Sequence, residues 1–421
     1  MAVRADGSKA GKTRKAPVKE PSVKEAASVP RLNCKDTPVD RRPPHLNVLV
    51  LQGGGALGAY HLGVCEELAK MDVAPDWVCG ISIGAINAAL IAGNRPQNRI
   101  EALVTFWEQI SSGLVPGFAI PDGTARDLWS QGAAVWIAAT GVPGFFRPRF
   151  PPAKFQPDGS LGAISYYDTE PLRQTLDGLI DWDYLNDGPI RLSVGSVSVT
   201  TGRMHFFDTK GGPGHTRVTV DHVMSSGALP PGFPPVKIGD DWYWDGGIAS
   251  NAPLQHVLDE GTSHDKNIFQ VDLFPSEGPF PETLLDAETR AQDIRYASRT
   301  RLNTNLEMAL SPARLVVRRV LDSCGADLSD LSDAEIEVLR QFACEQHIEI
   351  AQIIYRDKAY SGKARGYEFS RPTMEAHRAA GRRDAARALA VRDWRQRPAV
   401  NGVHCIDVGA DDLSSKPKAS R

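Results

Sequence analysis

The stretch that decides the fold is Asp76-Trp77-Val78-Cys79-Gly80-Ile81-Ser82-Ile83-Gly84, which runs straight into Ala85-Ile86-Asn87-Ala88-Ala89-Leu90-Ile91-Ala92. Asp76 to Cys79 is a short strand-like run, and Ile83 to Ala92 is rich in Ala and aliphatic residues, which predicts a helix. Between them lies Gly80-Ile81-Ser82-Ile83-Gly84, a G-x-S-x-G sequence in the strand–turn–helix setting that a nucleophile elbow needs. Small residues at both ends, Gly80 and Gly84, permit a turn tight enough to push the Ser82 hydroxyl outward. A helix starting at Ile83 aims its free N–H groups and positive dipole end at the same place. Ser82 is therefore the candidate nucleophile.

Upstream, Val48-Leu49-Val50-Leu51 ends in Gln52 and reads as a buried parallel strand, and Tyr60 to Lys70 has helical spacing of Leu62, Val64 and Leu68. The order βαβα predicts an α/β fold, with a mainly parallel sheet flanked by helices. Gly53-Gly54-Gly55-Ala56-Leu57-Gly58 follows the first strand. Its glycines let backbone N–H groups line a tight cavity. The same run satisfies G-x-G-x-x-G, but a dinucleotide site expects an acidic residue at the end of the second strand. Here that strand ends in the Ser82 turn, so Gly53, Gly54, Gly55, Ala56 and Gly58 are read as an oxyanion hole and no nucleotide partner is expected.

A serine needs a base. Asp245-Gly246-Gly247 can present a carboxylate unobstructed at a strand end, the two glycines forming the turn. His256 and His264 follow it, so a Ser–Asp–His order stays open on the residues alone. The nucleophile, however, comes after only about one βα unit, too early for an α/β-hydrolase.

These three pieces, in this order, resemble the patatin-like phospholipases. The likeness extends to Ser226-Gly227-Ala228-Leu229-Pro230-Pro231-Gly232-Phe233-Pro234-Pro235-Val236 before the aspartate and to Asn251-Ala252-Pro253-Leu254 after it. The resemblance implies a Ser–Asp dyad in which Asp245 takes the Ser82 proton directly, an acyl-enzyme, and main-chain N–H groups of Gly54, Gly55 and Ala56 holding the oxyanion. Many members carry Arg or Lys where this chain has Leu57, so the implied donors are backbone only. Tyr367-Glu368-Phe369-Ser370-Arg371 and Thr373-Met374 look similar to an extension found on some bacterial patatin-like proteins.

The chain has 421 residues, 42% hydrophobic and 24% charged, with a formal net charge of −3. These values suit a globular α/β domain with additions and argue against a nucleic-acid partner. Residues 1–45 hold 11 Lys/Arg against 5 Asp/Glu and no aromatic residue. They are expected to form a disordered basic tail. Gly7, Gly11, Lys12 and Thr13 there miss P-loop spacing by one residue. The expected divisions are a catalytic domain over 46–275, a mostly helical extension over 276–395 and a tail over 396–421. Within the extension, Ile348 to Tyr355 reads as a strand, and a helix opened by Arg371-Pro372 is expected to stop at Gly381.

The six cysteines show no zinc spacing, and no cofactor or metal is expected. Asp181, Asp183 and Asp187 fail as a calcium loop because Leu185 occupies a ligand position. No secretory signal or membrane-spanning run is evident, which suggests a cytoplasmic protein. Residues 111–165 are rich in Pro, Gly and large aromatics, including Phe145, Phe146, Phe150 and Phe155. They predict an apolar wall or lid, with Phe145-Phe146-Arg147 as a transient, peripheral membrane contact. The expected partner is a phospholipid or another acyl ester. An intracellular hydrolase of polyester or short acyl esters, or a non-catalytic lipid-binding module, would share the same motifs.

Overall fold

The computed structural model describes residues 45–115, 124–211, 215–260, 264–323, 330–343, 346–356, 363–398 and 402–407. The basic arm up to residue 44, Phe118 and the end of the chain from residue 408 lie outside them. Residues Pro43–Arg421 cluster as one compact unit.

The chain order begins β1 (Leu46–Leu51), α1 (Ala59–Lys70), β2 (Trp77–Ile81), α2 (Ile83–Ala92) and α3 (Arg99–Ile110), the expected βαβα start. An insert follows: α4 (Thr124–Thr140) and the two-residue strands β3 (Arg147–Pro148) and β4 (Tyr167–Asp168). Then come α5 (Glu170–Leu179), α6 (Trp182–Asp187), β5 (Arg191–Ser198), β6 (Met204–Asp208), α7 (Val220–Ser226), β7 (Val236–Ile238) and β8 (Asp241–Asp245). The last part holds α8 (Leu254–Asp259), β9 (Lys266–Asp272), α9 (Leu284–Asp322), α10 (Asp333–Phe342), β10 (Ile348–Ile354), α11 (Arg371–Leu389) and β11 (Val403–Asp407).

Among the described residues these strands build a nine-stranded sheet, ordered β11-β10-β9-β1-β2-β5-β8-β7, with β6 also paired to β5. The six strands from β11 to β5 run parallel, while β6, β8 and β7 are antiparallel additions at one end. Side-chain alternation sends Leu49, Leu51 and Val78 into the core under α1, α2 and α3, and Val48, Val50, Trp77 and Cys79 to the other face with Leu254 and Val257 of α8. The sheet is thus apolar on both sides, which is why its central strands lack a polar face. Every residue of α2 is buried.

Two features differ from the sequence reading. The extension is not an appendage: β10 pairs in parallel with the outer edge of β9, and β11, inside the segment expected as a tail, pairs with β10. The boundary expected at 275/276 therefore falls within one continuous sheet. Second, Gly381 does not end a helix; α11 runs through it to Leu389. The glycine serves close packing instead. A Cβ on Gly381 would lie 2.1 Å from the Tyr60 carbonyl oxygen, and one on Gly63 would lie 2.0 Å from that of Arg378. The two helices meet backbone to backbone at these glycines. Around the contact, Glu66 takes Arg378 and Arg382, and the Tyr60 hydroxyl donates to Asp384 at 2.8 Å.

In an exposed helix interior, Gly→Ala stabilises by about 1 kcal/mol. Gly381→Ala should have the opposite sign, costing about 1–3 kcal/mol through overpacking. A denaturant midpoint equal to or above wild type would contradict this packing account.

Candidate active site

Ser82 sits between β2 and α2 with φ 57° and ψ −129°. For a non-glycine residue this backbone costs on the order of 1–3 kcal/mol and persists only where the surroundings over-determine it. They do so here. A Cβ on Gly80 would lie 2.3 Å from the Gly84 oxygen, and one on Gly84 2.3 Å from the Leu51 oxygen, so both flanking positions accept only glycine. The Ser82 N–H is held by Ser226 Oγ at 2.9 Å, and that hydroxyl donates to the Gly195 carbonyl at 2.6 Å.

Asp245 reaches the same point from the opposite direction. On one edge of β5, β2 pairs in parallel up to Ile81 opposite Gly195, and β8 pairs antiparallel from Asp245 opposite Ser196. β6 covers the other edge over the same residues. β2 and β8 therefore meet head-on, and the last residue of β8 arrives beside the turn that follows β2. Asp245 is 2% exposed. Its Oδ1 accepts the Gly247 N–H at 2.7 Å, and its carboxylate faces the Ser82 side chain across the pocket they both line. Burial raises the Asp245 pKa to about 7, against the pull of Ser82 and of the Gly247 hydrogen bond. A carboxylate poised there can take a proton from serine near neutral pH.

The glycine run divides by position. Gly54 and Gly55 line a pocket with Ser82 and Asp245, at the start of a 3-10 turn (Gly55–Gly58) whose first N–H groups precede any intrahelical acceptor. Gly55 has φ +60°, which favours glycine. Gly53 differs from the expectation: its N–H donates to the Asn251 carbonyl at 3.1 Å, so it is not an oxyanion donor, and a Cβ there would press on the Ser82 Cβ at 2.9 Å. Ala56 and Gly58 are buried outside the pocket lining; a Cβ on Gly58 would strike Ile83 at 2.6 Å. Gly246 gives room at the strand junction, where a Cβ would lie 2.6 Å from the Gly195 oxygen.

The rest of the pocket is mostly apolar, with Asn251, Gln292, Tyr296 and Tyr367 as its polar side chains. Ile83, Ile86, Leu229 and the rings of Phe145, Phe146, Phe233 and Phe369 enclose about 100 Å³. Phe145 and Phe146 are 6% and 5% exposed, so they are pocket wall and not a membrane patch, because Phe233 and Phe369 pack over them. No histidine lines this pocket among the described residues. His256 stacks on Phe206 at 4.0 Å and approaches Asp208 at 3.6 Å, beside Trp77 at the far end of β2. It belongs to that cluster and not to Ser82.

Two positioning residues carried no role in the sequence reading. Asn251 donates to the Gly53 carbonyl at 2.8 Å and so clamps the glycine turn. The Gln52 side-chain oxygen accepts from the N–H groups of Leu273 and Phe274, locking β1 to the end of β9. Both lie next to a recognised motif, yet nothing local indicates where their side chains reach.

A family model described as "Patatin-like phospholipase" matches residues 49–258, from β1 through Asp245, and a second, described as "Patatin phospholipase", matches residues 294–401. The chain belongs to the patatin-like phospholipase family. Among curated relatives, the "cGAMP-activated phospholipase" of Pseudomonas aeruginosa is 27% identical over 219 residues, covering 50% of this chain and 55% of the relative. A protein of the same name from Vibrio cholerae is 24% identical over 216 residues, covering 49% and 55%. The chain thus spans about half the length of the curated relatives it matches. The solved structure of VipD from Legionella pneumophila overlays this chain with a TM-score of 0.37 at 14% identity, covering 83% of this chain and 67% of that one.

The Asp245 shift has two consequences with opposite demands. Activity that uses the ionised carboxylate should rise with pH through about 7 in kcat/KM. Stability should move the other way. The native state keeps the Asp245 proton to higher pH than the unfolded chain, so this group's contribution is lost as pH rises from about 4 through 7. Asp245→Asn should therefore melt above wild type at pH 8, with the gap narrowing at pH 5. A variant that melts lower at pH 8 would show that the buried charge is not a burden.

Proposed function

We propose that this chain is a carboxylic ester hydrolase of lipids, of the phospholipase A or lysophospholipase type, working through a Ser82–Asp245 dyad. The observation that carries this reading is the strained Ser82 turn sharing one pocket with a buried carboxylate whose pKa is near 7. Ser82 Oγ attacks the ester carbonyl carbon while Asp245 takes its proton. The N–H groups of Gly54 and Gly55 face the oxygen as it becomes negative. The tetrahedral intermediate collapses, and the alcohol leaves with the proton from Asp245. Water then attacks the acyl-enzyme, Asp245 accepting and returning a proton, and the carboxylic acid is released.

The dyad and backbone donors supply a base, a nucleophile and anion stabilisation, so the reaction is proposed to need no metal and no nucleotide. The cGAMP named for the relatives is not carried over to this chain. A fluorophosphonate probe should label Ser82, located by mass spectrometry of peptides. Ser82→Ala and Asp245→Asn should each lower kcat/KM on a lipid ester by roughly 10⁴-fold. Turnover should persist in excess EDTA and stay unchanged on adding cGAMP. Labelling at another residue would remove Ser82 from the mechanism, and a rise in rate with cGAMP would add a nucleotide partner.

A second reading, hydrolysis of polyester or short acyl esters, is favoured by one observation, the small volume of the apolar pocket. Contact with a membrane surface separates the two. No helix among the described residues is long and apolar enough to cross a membrane. Phe150 and Phe155 of the insert, however, are 95% and 67% exposed, and the Lys154 ammonium lies 4.8 Å from the centre of the Phe155 ring. Exposed rings beside a cation suit the headgroup region. Replacing both phenylalanines by Ser should lower hydrolysis of anionic vesicles severalfold even at high salt, since apolar insertion is not screened. Unchanged vesicle hydrolysis and sedimentation would favour soluble esters.

A further inference from the structure

The pocket beside Ser82 is not built by the segment 49–258 alone. The short segment 365–369 of the C-terminal extension crosses it and contributes Gly366, Tyr367 and Phe369 to its lining. The segment is held at three points. Arg365, almost fully buried, donates to Asp293 of α9 at 2.9 Å. The Gly366 carbonyl abuts the glycine turn so closely that a Cβ on Gly55 would lie 2.1 Å from its oxygen. The Phe369 ring packs 5.7 Å from that of Phe145 and 6.5 Å from that of Phe146. Phe233 fills the remaining side, 6.0 Å and 5.2 Å from the same two rings.

The four rings line the apolar part of the space into which an acyl chain on Ser82 would extend. What remains is about 100 Å³. A dry cavity of about 150 Å³ takes one benzene, six carbons. By that measure the ringed part of the pocket holds about four carbons, and a longer acyl chain has to pass Phe369 or leave through the open side.

We propose that segment 365–369 is the acyl-selectivity element of this enzyme, with Phe369 limiting the length of the acyl chain accepted and Tyr367 at the mouth of the pocket. This inference rests on the Ser82–Asp245 reading and adds the element that sets acyl length. It also gives the extension a role in the reaction's specificity beyond completing the sheet.

The test is kcat/KM over a series of p-nitrophenyl esters from acetate to palmitate, with the full chain. Wild-type kcat/KM should fall once the acyl chain outgrows the ringed part of the pocket, about four carbons deep. Phe369→Ala should raise the octanoate-to-butyrate ratio of kcat/KM about tenfold by opening the pocket, and Tyr367→Ala should raise it by less. The ratio is used because partial unfolding lowers both terms equally. Phe369→Leu, which removes the ring yet keeps an apolar side chain, should shift the ratio the same way by less and, with Tyr367→Ala at a half-exposed position, carries the test should Phe369→Ala fail to fold. Ratios unchanged in every folded variant would overturn the proposal. Ser82→Ala is the control on the reading beneath it. Turnover that survives in Ser82→Ala refutes the dyad, whereas a dead Ser82→Ala with unshifted ratios refutes only the selectivity element.

Discussion

One edge of β5 carries the site. β2 takes the first half of that edge in parallel and β8 takes the second half antiparallel, so two strands of opposite direction end against each other. Neither can continue, and each must turn away at the junction. β2 turns at Ser82 into α2, and β8 turns at Asp245 into the Gly246-Gly247 corner. A hydroxyl and a carboxylate far apart in the chain thus arrive at one point without a loop having to hold either. The glycines at Gly80, Gly84 and Gly246 follow from this constraint. Each stands where a Cβ would overlap a backbone carbonyl at or near the crossing. Placement on strand and helix ends gives a more exact site than placement on loops would.

The junction is energetically unfavourable taken alone. It holds a non-glycine residue at positive φ and a carboxylate removed from water with few compensating hydrogen bonds. The surrounding core pins it. α2 is buried along its whole length, and β2 and β9 are buried on both faces, so the turn cannot relax without opening the core. Buried side chains tie the neighbouring turns together, with Ser226 on the Ser82 N–H, Asn251 on Gly53 and Gln52 on the end of β9. Strain and desolvation concentrate where the proposed chemistry occurs, and the sheet core stabilises what they cost.

The C-terminal extension is part of this same body. Without it the outer edge of β9 would be left unpaired, and α1 would lose its backbone contact with α11. Its segment 365–369 also reaches the glycine turn and the aromatic cluster. The stability of the sheet and the shape of the pocket are therefore linked through one stretch of chain.

The sequence by itself determined the local frame. Strand, elbow and helix at residues 76–92, the glycine turn after β1 and the Asp245 corner are all set by steric preferences within a few residues, so they are legible without the fold. The βαβα order likewise predicted an α/β chain, and the composition one able to bury a sizeable core. Only the tertiary structure decided which residues meet across the chain. Asn251 reaches Gly53 over 198 positions, and Ser226 reaches Ser82 over 144. Phe145 and Phe146 read equally well as a surface patch or as core, until Phe233 and Phe369 cover them. Gly381 reads as a helix stop because a lone helix gains nothing from glycine, whereas a helix pressed against another backbone requires it. Val403–Asp407 reads as tail because an edge strand needs only a partner, and its partner β10 lies elsewhere in the chain. Local pattern encodes what a residue can do with its neighbours in sequence. Burial, the pKa near 7 of Asp245 and the size of the pocket depend on neighbours in space, and these exist only once the sheet has closed.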